Sequence, residues 1–310
     1  MKVLLIMDPL STIHIDQDTS FALSIAAQEQ GHEVYYAQIG DLMMRGPEPR
    51  VRARHLHFVQ AEPCYEWRAP WTEEGLDDFG VILMRKDPPF DEEYFLATHF
   101  LSLCKKAKVV NRPSSLREAP EKIYGLNFPQ ICPQTLITRD PKEIKKFMME
   151  LGEIIIKPIN RSGGAGVLYL TPADKNFNSL IEMSTNENRE HIIAQQYLPE
   201  IREGDKRVIL VNGEPLGGLL RTPSPEDHRG NIHVGGTVSL SPLNEHDTWL
   251  IKQVQEKIKE DGLYFVGLDI IGDYITEINV TSPTGIQEIH QLGGVDIAKE
   301  FWLRMGDFSG

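Results

Sequence analysis

Hydrophobic and polar positions follow a strand–helix–strand rhythm over the first third of the chain. Short apolar runs are predicted to be buried strands, at residues 2–7, 33–37 and 81–84. Residues 20–30 have helical spacing between the first two runs, with Asp18 or Thr19 as the N-cap and Gly31 as the end. This alternation predicts an open α/β domain over residues 1–118.

Beyond this region, helical patterns continue and hairpin signals become frequent. One helix and two strands are predicted at residues 141–151, 154–157 and 192–196. The dipeptide Asn212-Gly213 lies between two β-rich segments and predicts a hairpin with a two-residue turn. Leu250, Val254 and Ile258 form one stripe of a predicted helix, which we expect to pack under the C-terminal hairpin.

That C-terminal hairpin, predicted over residues 266–283, is the most informative part of the chain. Two strands rich in β-branched and aromatic residues meet at a turn beginning with Gly272. Glu277 and Asn279 are two residues apart, so they point to one face of their strand. Asp269, on the partner strand, joins that face only if the connecting loop has an odd number of residues.

Three convergent oxygen donors have two interpretations. They can form a magnesium site, because Mg²⁺ prefers oxygen ligands and fills its remaining positions with water and nucleotide phosphate. Alternatively, they can be the solvated polar face of an ordinary strand. The apolar residues around Asp269 are numerous enough to bury the hairpin, and buried carboxylates require a cation or hydrogen-bond donors. This favours the metal site.

A second segment joins an apolar strand to a glycine-rich link. Lys157 ends the strand, and the link contains Gly163, Gly164 and Gly166. Glycines allow backbone N–H groups to curl towards an anion, and a lysine beside them is well placed to meet phosphate oxygens. The segment is not a Walker A loop, because no Gly-Lys-Ser/Thr sequence follows. A plain hairpin with a lysine that extends to solvent is the alternative.

Composition narrows the class of protein. The 310 residues are 41% hydrophobic and 25% charged, which is ordinary for a globular protein, and the formal net charge of −13 argues against nucleic acid or an anionic membrane as a partner. The apolar run that precedes Asp8 is too short for a signal peptide or a membrane span. Cys64, Cys104 and Cys132 lack Cys-x-x-Cys spacing, so we expect reduced thiols in a cytoplasmic protein.

Several strings in colinear order resemble the prokaryotic glutathione synthetases, which are ATP-grasp carboxylate–amine ligases. They are Met84-Arg-Lys-Asp-Pro-Pro-Phe90, Gly204-Asp-Lys-Arg207, Arg229-Gly-Asn231 and Thr276-Glu-Ile-Asn-Val-Thr-Ser-Pro-Thr284. The resemblance implies an α/β ATP-grasp fold, in which the open N-terminal α/β domain (residues 1–118) binds substrate. Two α+β subdomains would then grip ATP, a lid at residues 119–200 and a C-terminal subdomain with the magnesium site at residues 201–310.

The same resemblance implies where ATP and metal bind. The implied ATP-binding residues are Lys122 and Lys157 for the α- and β-phosphates, Asp205 for the ribose, Gln195, Gln196, Tyr197 and Leu198 for the adenine, and Gly163, Gly164 and Gly166 for the loop that covers the phosphates. The implied metal ligands are Asp269, Glu277 and Asn279, with two Mg²⁺ ions expected and Mn²⁺ as an alternative ion.

For the substrate, the resemblance implies contacts from Arg85, Arg207, Arg221, Arg229, Asn231 and Ser282. Arg207, Arg229 and Asn231 would act on the acyl phosphate, and the aperiodic residues 222–236 would form a mobile lid. Outside the motif context, each arginine could equally be a surface ion pair.

The implied reaction joins γ-glutamylcysteine to glycine through an acyl phosphate and gives glutathione, ADP and phosphate. The family also implies a homo-oligomer. Two other interpretations stay open from the residues alone: a different ATP-grasp ligase for amino acids or peptides, and an ATP-binding regulatory protein of the same fold without catalysis. The complete set of predicted metal and phosphate ligands argues against the regulatory protein.

Overall fold

A computed structural model describes residues 1–160, 163–224 and 236–306, and three β-sheets follow one another along that part of the chain. The first sheet is formed by β1 (Lys2–Ile6), β2 (Glu33–Ala37), β3 (Leu42–Arg45), β4 (Glu48–Phe58), β5 (Tyr65–Gly75), β6 (Val81–Met84) and β7 (Lys108–Val110). Strand β1 pairs in parallel with β2 on one side and with β6 on the other. The predicted α/β class is therefore confirmed.

Helices cover this first sheet, as the apolar periodicity requires. They are α1 (Thr19–Glu29), α2 (Glu92–Leu101) and α3 (Pro113–Glu118). The side chain of Asp18 accepts a hydrogen bond from the backbone N–H of Phe21 and caps α1, and Gly31 follows the helix with a φ of +76°.

The second sheet is a small antiparallel sheet with helices on one face. Its strands are β8 (Thr135–Thr138), β9 (Ile154–Pro158), β10 (Leu168–Leu170) and β11 (Ile192–Gln196), in the order β10-β9-β11-β8. Helices α4 (Pro141–Leu151) and α5 (Phe177–Ser184) bury Ile144 and Ile181 against Ile154 and Ile156 of β9. The alternate residues of β9 therefore point to the opposite face of the sheet.

The third sheet contains both predicted hairpins. Its strands are β12 (Asp205–Val211), β13 (Glu214–Thr222), β14 (Thr237–Leu240), β15 (Phe265–Ile271) and β16 (Tyr274–Asn279), in the order β14-β13-β12-β15-β16. Asn212 and Gly213 both have positive φ, 51° and 72°, as a tight hairpin turn requires. Helix α6 (Glu245–Glu260) packs the predicted stripe of Leu250, Val254 and Ile258 against the inner face of this sheet.

The last helices, α7 (Ile286–Gln291) and α8 (Ile297–Met305), return to the first sheet. Trp302 of α8 donates from Nε1 to the carbonyl of Leu23 in α1 at 2.7 Å. The predicted boundaries near residues 118 and 200 lie between successive sheets and stay predictions. Helix α8 belongs to the last predicted domain but packs on helix α1 of the first one. No helix in the described ranges combines the length and apolar character needed to cross a membrane.

Asn111 ties the first sheet to the third. Its Nδ2 donates to the carbonyls of Phe265 at 2.8 Å and Val280 at 2.6 Å, and its Oδ1 accepts from the backbone N–H of Phe265 at 2.7 Å. The side chain is 3% exposed. These bonds hold both ends of the β15–β16 hairpin against the first sheet.

We predict that Asn111→Ala lowers the free energy of unfolding by roughly 2–4 kcal/mol, because three buried backbone groups lose their partners. Urea denaturation measures this change. The matched control is Asn178→Ala, an exposed asparagine on α5, which should stay within about 0.5 kcal/mol of the parent protein. Equal stabilities for the two variants would contradict the bridging role.

Candidate active site

A deep cleft lies between the second and third sheets. Among the described residues, its lining contains most of the predicted ATP and metal residues, namely Lys122, Lys157, Gly163, Gly164, Gln195, Gln196, Tyr197, Leu198, Asp205, Asp269, Glu277 and Asn279. It also contains Arg207, which was predicted to be catalytic and to bind substrate. Gly166, Arg85, Arg221 and Ser282 are not part of this lining. Arg229 and Asn231, together with most of the predicted lid at 222–236, lie outside the described residues.

The metal face of the C-terminal hairpin depends on a β-bulge. The turn between β15 and β16 has two residues, an even number, and pairs Ile270 with Ile275. A register shift follows directly, so that Asp269 lies opposite Glu277. Thr276 is the extra residue of this bulge. It has the same effect on the alternation of side chains as a connecting loop with an odd number of residues. Asp269, Glu277 and Asn279 therefore share the cleft.

Asp269 is held by two arginines. Arg207 lies opposite it on β12 and donates to its two carboxylate oxygens at 2.5 and 3.0 Å. Arg221 on β13 contributes Nη2 at 3.0 Å and also pairs with Asp205. Burial alone would raise the pKa of Asp269, but the two guanidinium groups outweigh it and hold the pKa below its usual range. We call Arg221, Asp205, Arg207 and Asp269 the buried charge row.

Asp205 has one unsatisfied carboxylate oxygen within the buried charge row. Its Oδ2 binds Arg221, whereas its Oδ1 is buried and has no hydrogen-bond partner in the described part of the chain. Burial raises the pKa of Asp205 to about 6, against the attraction of Arg221. An unpartnered buried acceptor in the cleft wall suits a hydroxyl donor such as a ribose.

Arg221 is placed behind this wall. Burial alone would lower the pKa of Arg221, but the negative charges of Asp205 and Asp269 outweigh burial and raise the pKa. It can orient Asp205 and Asp269 directly. A direct contact with substrate, the role implied by the family resemblance, stays a prediction.

Lys157 projects into the cleft from β9, on the face opposite the buried Ile154 and Ile156. Its Nζ donates to Oε1 of Gln195 at 2.7 Å, and Nε2 of Gln195 donates to Oγ1 of Thr135 at 3.0 Å. Burial lowers the pKa of Lys157, and the Glu277 carboxylate opposes that change. The predicted role of Gln195 at the adenine, mostly through backbone groups, stays a prediction, and its side chain positions the lysine.

Lys122 and Glu277 meet on the opposite side of the cleft, with Nζ 3.4 Å from Oε1. Asn279 donates from Nδ2 to Oδ2 of Asp269 at 3.3 Å, so its amide oxygen is directed elsewhere. Two carboxylates and an amide oxygen on one face fit the oxygen preference of Mg²⁺. Asp269 would have to share its oxygens between the ion and the arginines.

The hinge segment after β11 offers backbone groups to a flat ligand. The N–H of Gln196 donates to the carbonyl of Gln134, and that of Tyr197 to the carbonyl of Glu153. Within the described ranges the N–H of Leu198 makes no such bond. It is therefore available to an acceptor on an adenine ring.

Apolar walls flank the hinge, and the sequence analysis did not single them out. They are formed by Ile155, Val167, Ile201 and Ile271. A signal existed for Ile155, because period-2 alternation places it on the same face as Lys157. Flat aromatic ligands bury well between such side chains.

The glycine-rich link has the backbone geometry that the sequence predicted. Gly163, Gly164 and Gly166 have φ values of 66°, 76° and 76°. L-residues with a Cβ adopt this region less readily, so glycine is favoured at these positions. Gly163 and Gly164 line the cleft, and Gly166 does not.

Arg85 and Ser282 lie at the junction between the first sheet and the end of β16. Arg85 is 5% exposed and donates to Oγ of Ser20 and to the carbonyl of Pro283, both at 3.0 Å. Its Nη1 is buried without a partner among the described residues. Ser282 donates from Oγ to the carbonyl of Arg85 at 3.4 Å. Their predicted contacts with substrate are untested by this geometry.

Comparison with known proteins identifies the fold. D-cycloserine synthetase DcsG superposes with a TM-score of 0.70 at 12% identity, covering 98% of this chain and 99% of the other. An ATP-grasp RimK domain protein from Sphaerobacter thermophilus gives a TM-score of 0.66 at 16% identity, with coverage of 97% and 98%. These likenesses show that the chain has the ATP-grasp fold.

Sequence comparison then identifies the family. Family models for the prokaryotic glutathione synthetase N-terminal and ATP-grasp domains match residues 1–117 and 121–294. Glutathione synthetase of Synechococcus elongatus is 43% identical over 97% of this chain and 96% of its own length. That of Brucella melitensis is 44% identical over 97% of both chains. The chain belongs to the prokaryotic glutathione synthetase family.

The Gln195 contact gives a direct test of how the cleft holds its lysine. We predict that Gln195→Ala raises the KM for ATP roughly tenfold, because Lys157 loses its hydrogen-bond acceptor and leaves its position beside the phosphate site. Steady-state kinetics measure the change. Gln134→Ala is the matched control, since that side chain is exposed on the same sheet. A Gln195 variant with the KM of the control would contradict the positioning of Lys157.

Proposed function

We propose that this cleft joins γ-glutamylcysteine to glycine and converts ATP to ADP and phosphate, giving glutathione. The main support is that two lysines and an acidic hairpin face meet in one cleft of a chain whose relatives are glutathione synthetases. The family assignment argues against the non-catalytic interpretation. The predicted metal and phosphate ligands argue against it too, because a protein that only binds nucleotide could lose its metal ligands.

ATP fits the cleft in one orientation. Leu198 would donate its free N–H to adenine, and Asp205 Oδ1 would accept a ribose hydroxyl. Lys157 and Lys122 lie further along the cleft, near the carboxylates, where the phosphates would extend. The glycines at 163 and 164 would close over the same phosphates with their backbone N–H groups.

We also propose that Asp269, Glu277 and Asn279 hold magnesium between the hairpin and the phosphates. When bound there, the ion would supply positive charge that neutralises the phosphoryl oxygens. The protein supplies the oxygen ligands and, through Lys122, a cation that keeps Glu277 oriented. Two ions, or Mn²⁺ in place of Mg²⁺, belong to the same proposal.

The reaction proceeds in two displacements. An oxygen of the substrate carboxylate attacks the γ-phosphorus of ATP, the bond to the β-phosphate oxygen breaks, and ADP leaves. The glycine amine then attacks the acyl carbon of the acyl phosphate. The C–O bond to phosphate breaks, and the nitrogen loses its proton.

Arginines supply charge stabilisation for both steps. Arg207 lines the cleft beside Asp269 and would face the transferring phosphoryl group, and Arg229 and Asn231 would act on the same group. Arg85, Arg221 and Ser282 would serve the peptide end of the substrate. An acyl phosphate hydrolyses in water, so the glycine link and residues 222–236 would act as lids.

The cellular setting follows from the same proposal. We propose a cytoplasmic location, and the three free cysteines Cys64, Cys104 and Cys132 are consistent with a reducing compartment. The partners are the small substrates, with no role for nucleic acid or a membrane. Self-association into a homo-oligomer is part of the proposal, and light scattering on the purified protein tests it.

The substrate assignment is tested by phosphate release. With ATP and Mg²⁺ present, γ-glutamylcysteine plus glycine should give the fastest release among amino-acid and dipeptide pairs, with formation of one glutathione per phosphate. Turnover restricted to a different pair would refute the substrates and leave the ligase class intact.

The metal role is tested at Glu277. Glu277→Ala should lower kcat by about a thousandfold or more, because the cleft loses one of its two carboxylate ligands. Its melting temperature should change by only a few degrees, since this side chain is partly exposed. Exposed Glu203 provides the matched Glu203→Ala control. Ordinary turnover of the Glu277 variant at millimolar Mg²⁺ would rule out the ligand role.

A further inference from the structure

Glu121 makes an unusual set of contacts with the end of β16. Its Oε1 accepts three hydrogen bonds, from the N–H of Val280 at 2.9 Å, the N–H of Thr281 at 2.9 Å and Oγ1 of Thr281 at 2.7 Å. Its own carbonyl accepts a fourth, from the N–H of Ile278 at 3.2 Å. Glu121 therefore holds both the end of the strand, at Ile278, and the first two residues after it.

These contacts matter because β16 is the edge strand of the third sheet. The outer backbone groups of an edge strand have no neighbouring strand, so the strand can fray. Only the segment that begins at Glu121 covers this edge within the described ranges: Ile278 bonds to Glu121, and Ile275 donates to the carbonyl of Ile131 at 2.8 Å.

Asn279 and Glu277 stand between these attachment points. Glu121 holds Ile278 on one side of Asn279 and Val280 on the other. Lys122, the next residue, places its Nζ 3.4 Å from Oε1 of Glu277. Glu121 and Lys122 therefore contact β16 at and beside Glu277 and Asn279, the two predicted metal ligands on this strand.

The residues that follow β16 accept hydrogen bonds from two arginines. The carbonyl of Pro283 accepts from Arg85 at 3.0 Å, and the carbonyl of Thr284 accepts from Arg207 at 3.1 Å. A shift of Val280 and Thr281 would therefore move the acceptors that orient these arginines. Glu121 acts at the start of that connection.

The carboxylate is electrostatically unfavourable at this place. Burial and the negative charge of Glu277 both raise the pKa of Glu121, and the hydrogen bonds from Thr281 and Val280 act in the opposite direction. A structural acceptor could be supplied by a neutral side chain. All three side-chain contacts use Oε1, so a glutamine can retain them with its amide oxygen.

We infer that Glu121 is a positioning residue for catalysis, which holds the end of β16 so that Glu277 and Asn279 face Asp269 across the cleft. The inference rests on the proposed ligand role of those two residues. It assigns to Glu121 no contact with ATP or substrate.

The test compares Glu121→Ala and Glu121→Gln with the control Glu118→Ala, an exposed glutamate three residues away. Two readouts are needed. Hydrogen exchange at the amides of residues 278–281 reports the strand end without any ligand. Steady-state kinetics report kcat, the KM for ATP and the Mg²⁺ concentration that gives half the maximal rate.

In Glu121→Ala we expect exchange at Val280 and Thr281 to be roughly tenfold faster or more, because two amides lose their acceptor. The kcat should fall by a similar factor or more, and the Mg²⁺ requirement should rise. The KM for ATP should change by less than about threefold, since the hinge and ribose contacts are intact. Glu121→Gln should restore all four quantities towards those of the parent and the control.

Unchanged exchange in Glu121→Ala would overturn the clamp itself. Faster exchange with an unchanged kcat and Mg²⁺ requirement would overturn its positioning role. If Glu121→Gln behaves as the alanine variant, the charge is needed instead of the acceptor, and the inference is wrong. A silent Glu277→Ala variant would instead remove the proposed metal site and leave the exchange result valid.

Thr281→Val covers the case in which Glu121→Ala does not fold. It removes only the hydroxyl donor at 2.7 Å and preserves side-chain shape. It should produce smaller changes in the same direction in exchange, kcat and Mg²⁺ requirement. Parent-like values for all three would contradict the inference.

Discussion

The cleft depends on the buried charge row, in which two arginines and two aspartates neutralise one another on one face of the third sheet. Arg207 and Asp269 are directly opposite on paired strands, as are Asp205 and Arg221. Removing one partner from such a buried pair typically costs about 3–5 kcal/mol, because the other charge is left uncompensated. The row therefore supports the register of β12, β13 and β15, and with it the positions of the polar groups that these strands contribute to the cleft.

Glycine makes room for this arrangement. A Cβ on Gly267 would lie 3.1 Å from Cβ of Pro283 and 3.2 Å from Cδ of Arg207, both closer than side chains normally approach. The Arg207 side chain crosses Gly267 to reach Asp269 and the carbonyl of Thr284. A larger residue at 267 would displace either the arginine or the loop after β16. The position of Arg207 in the cleft and the packing of the backbone therefore both require that residue 267 has no side chain.

Charge also explains how an acidic protein can accept a nucleotide. The net charge is −13, yet the cations Lys122, Lys157 and Arg207 line the cleft together with Asp205, Asp269 and Glu277. Each cation has an oxygen partner in the described structure, so the site is held in a defined geometry before ligand arrives. Preorganised charges of this kind stabilise a transferring phosphoryl group without having to reorient.

Local sequence was sufficient for the elements whose form depends on neighbours along the chain. The Asn212-Gly213 turn, the capped helix α1 and the alternation that turns Lys157 away from Ile156 all follow from backbone preference and period. Motif resemblance supplied the residues gathered at the cleft. The bulge at Thr276 did not follow, because it places Ile275 and Ile278, three residues apart, in the same buried apolar cluster. Tertiary packing alone likewise decided three side-chain contacts. Arg221 binds two carboxylates, Gln195 binds Lys157, and Glu121 accepts hydrogen bonds from Val280 and Thr281, which are 159 and 160 positions further along the chain. The spacing of residues along a strand determines the face to which a side chain points. Its contact partner depends on which distant part of the chain packs against that face.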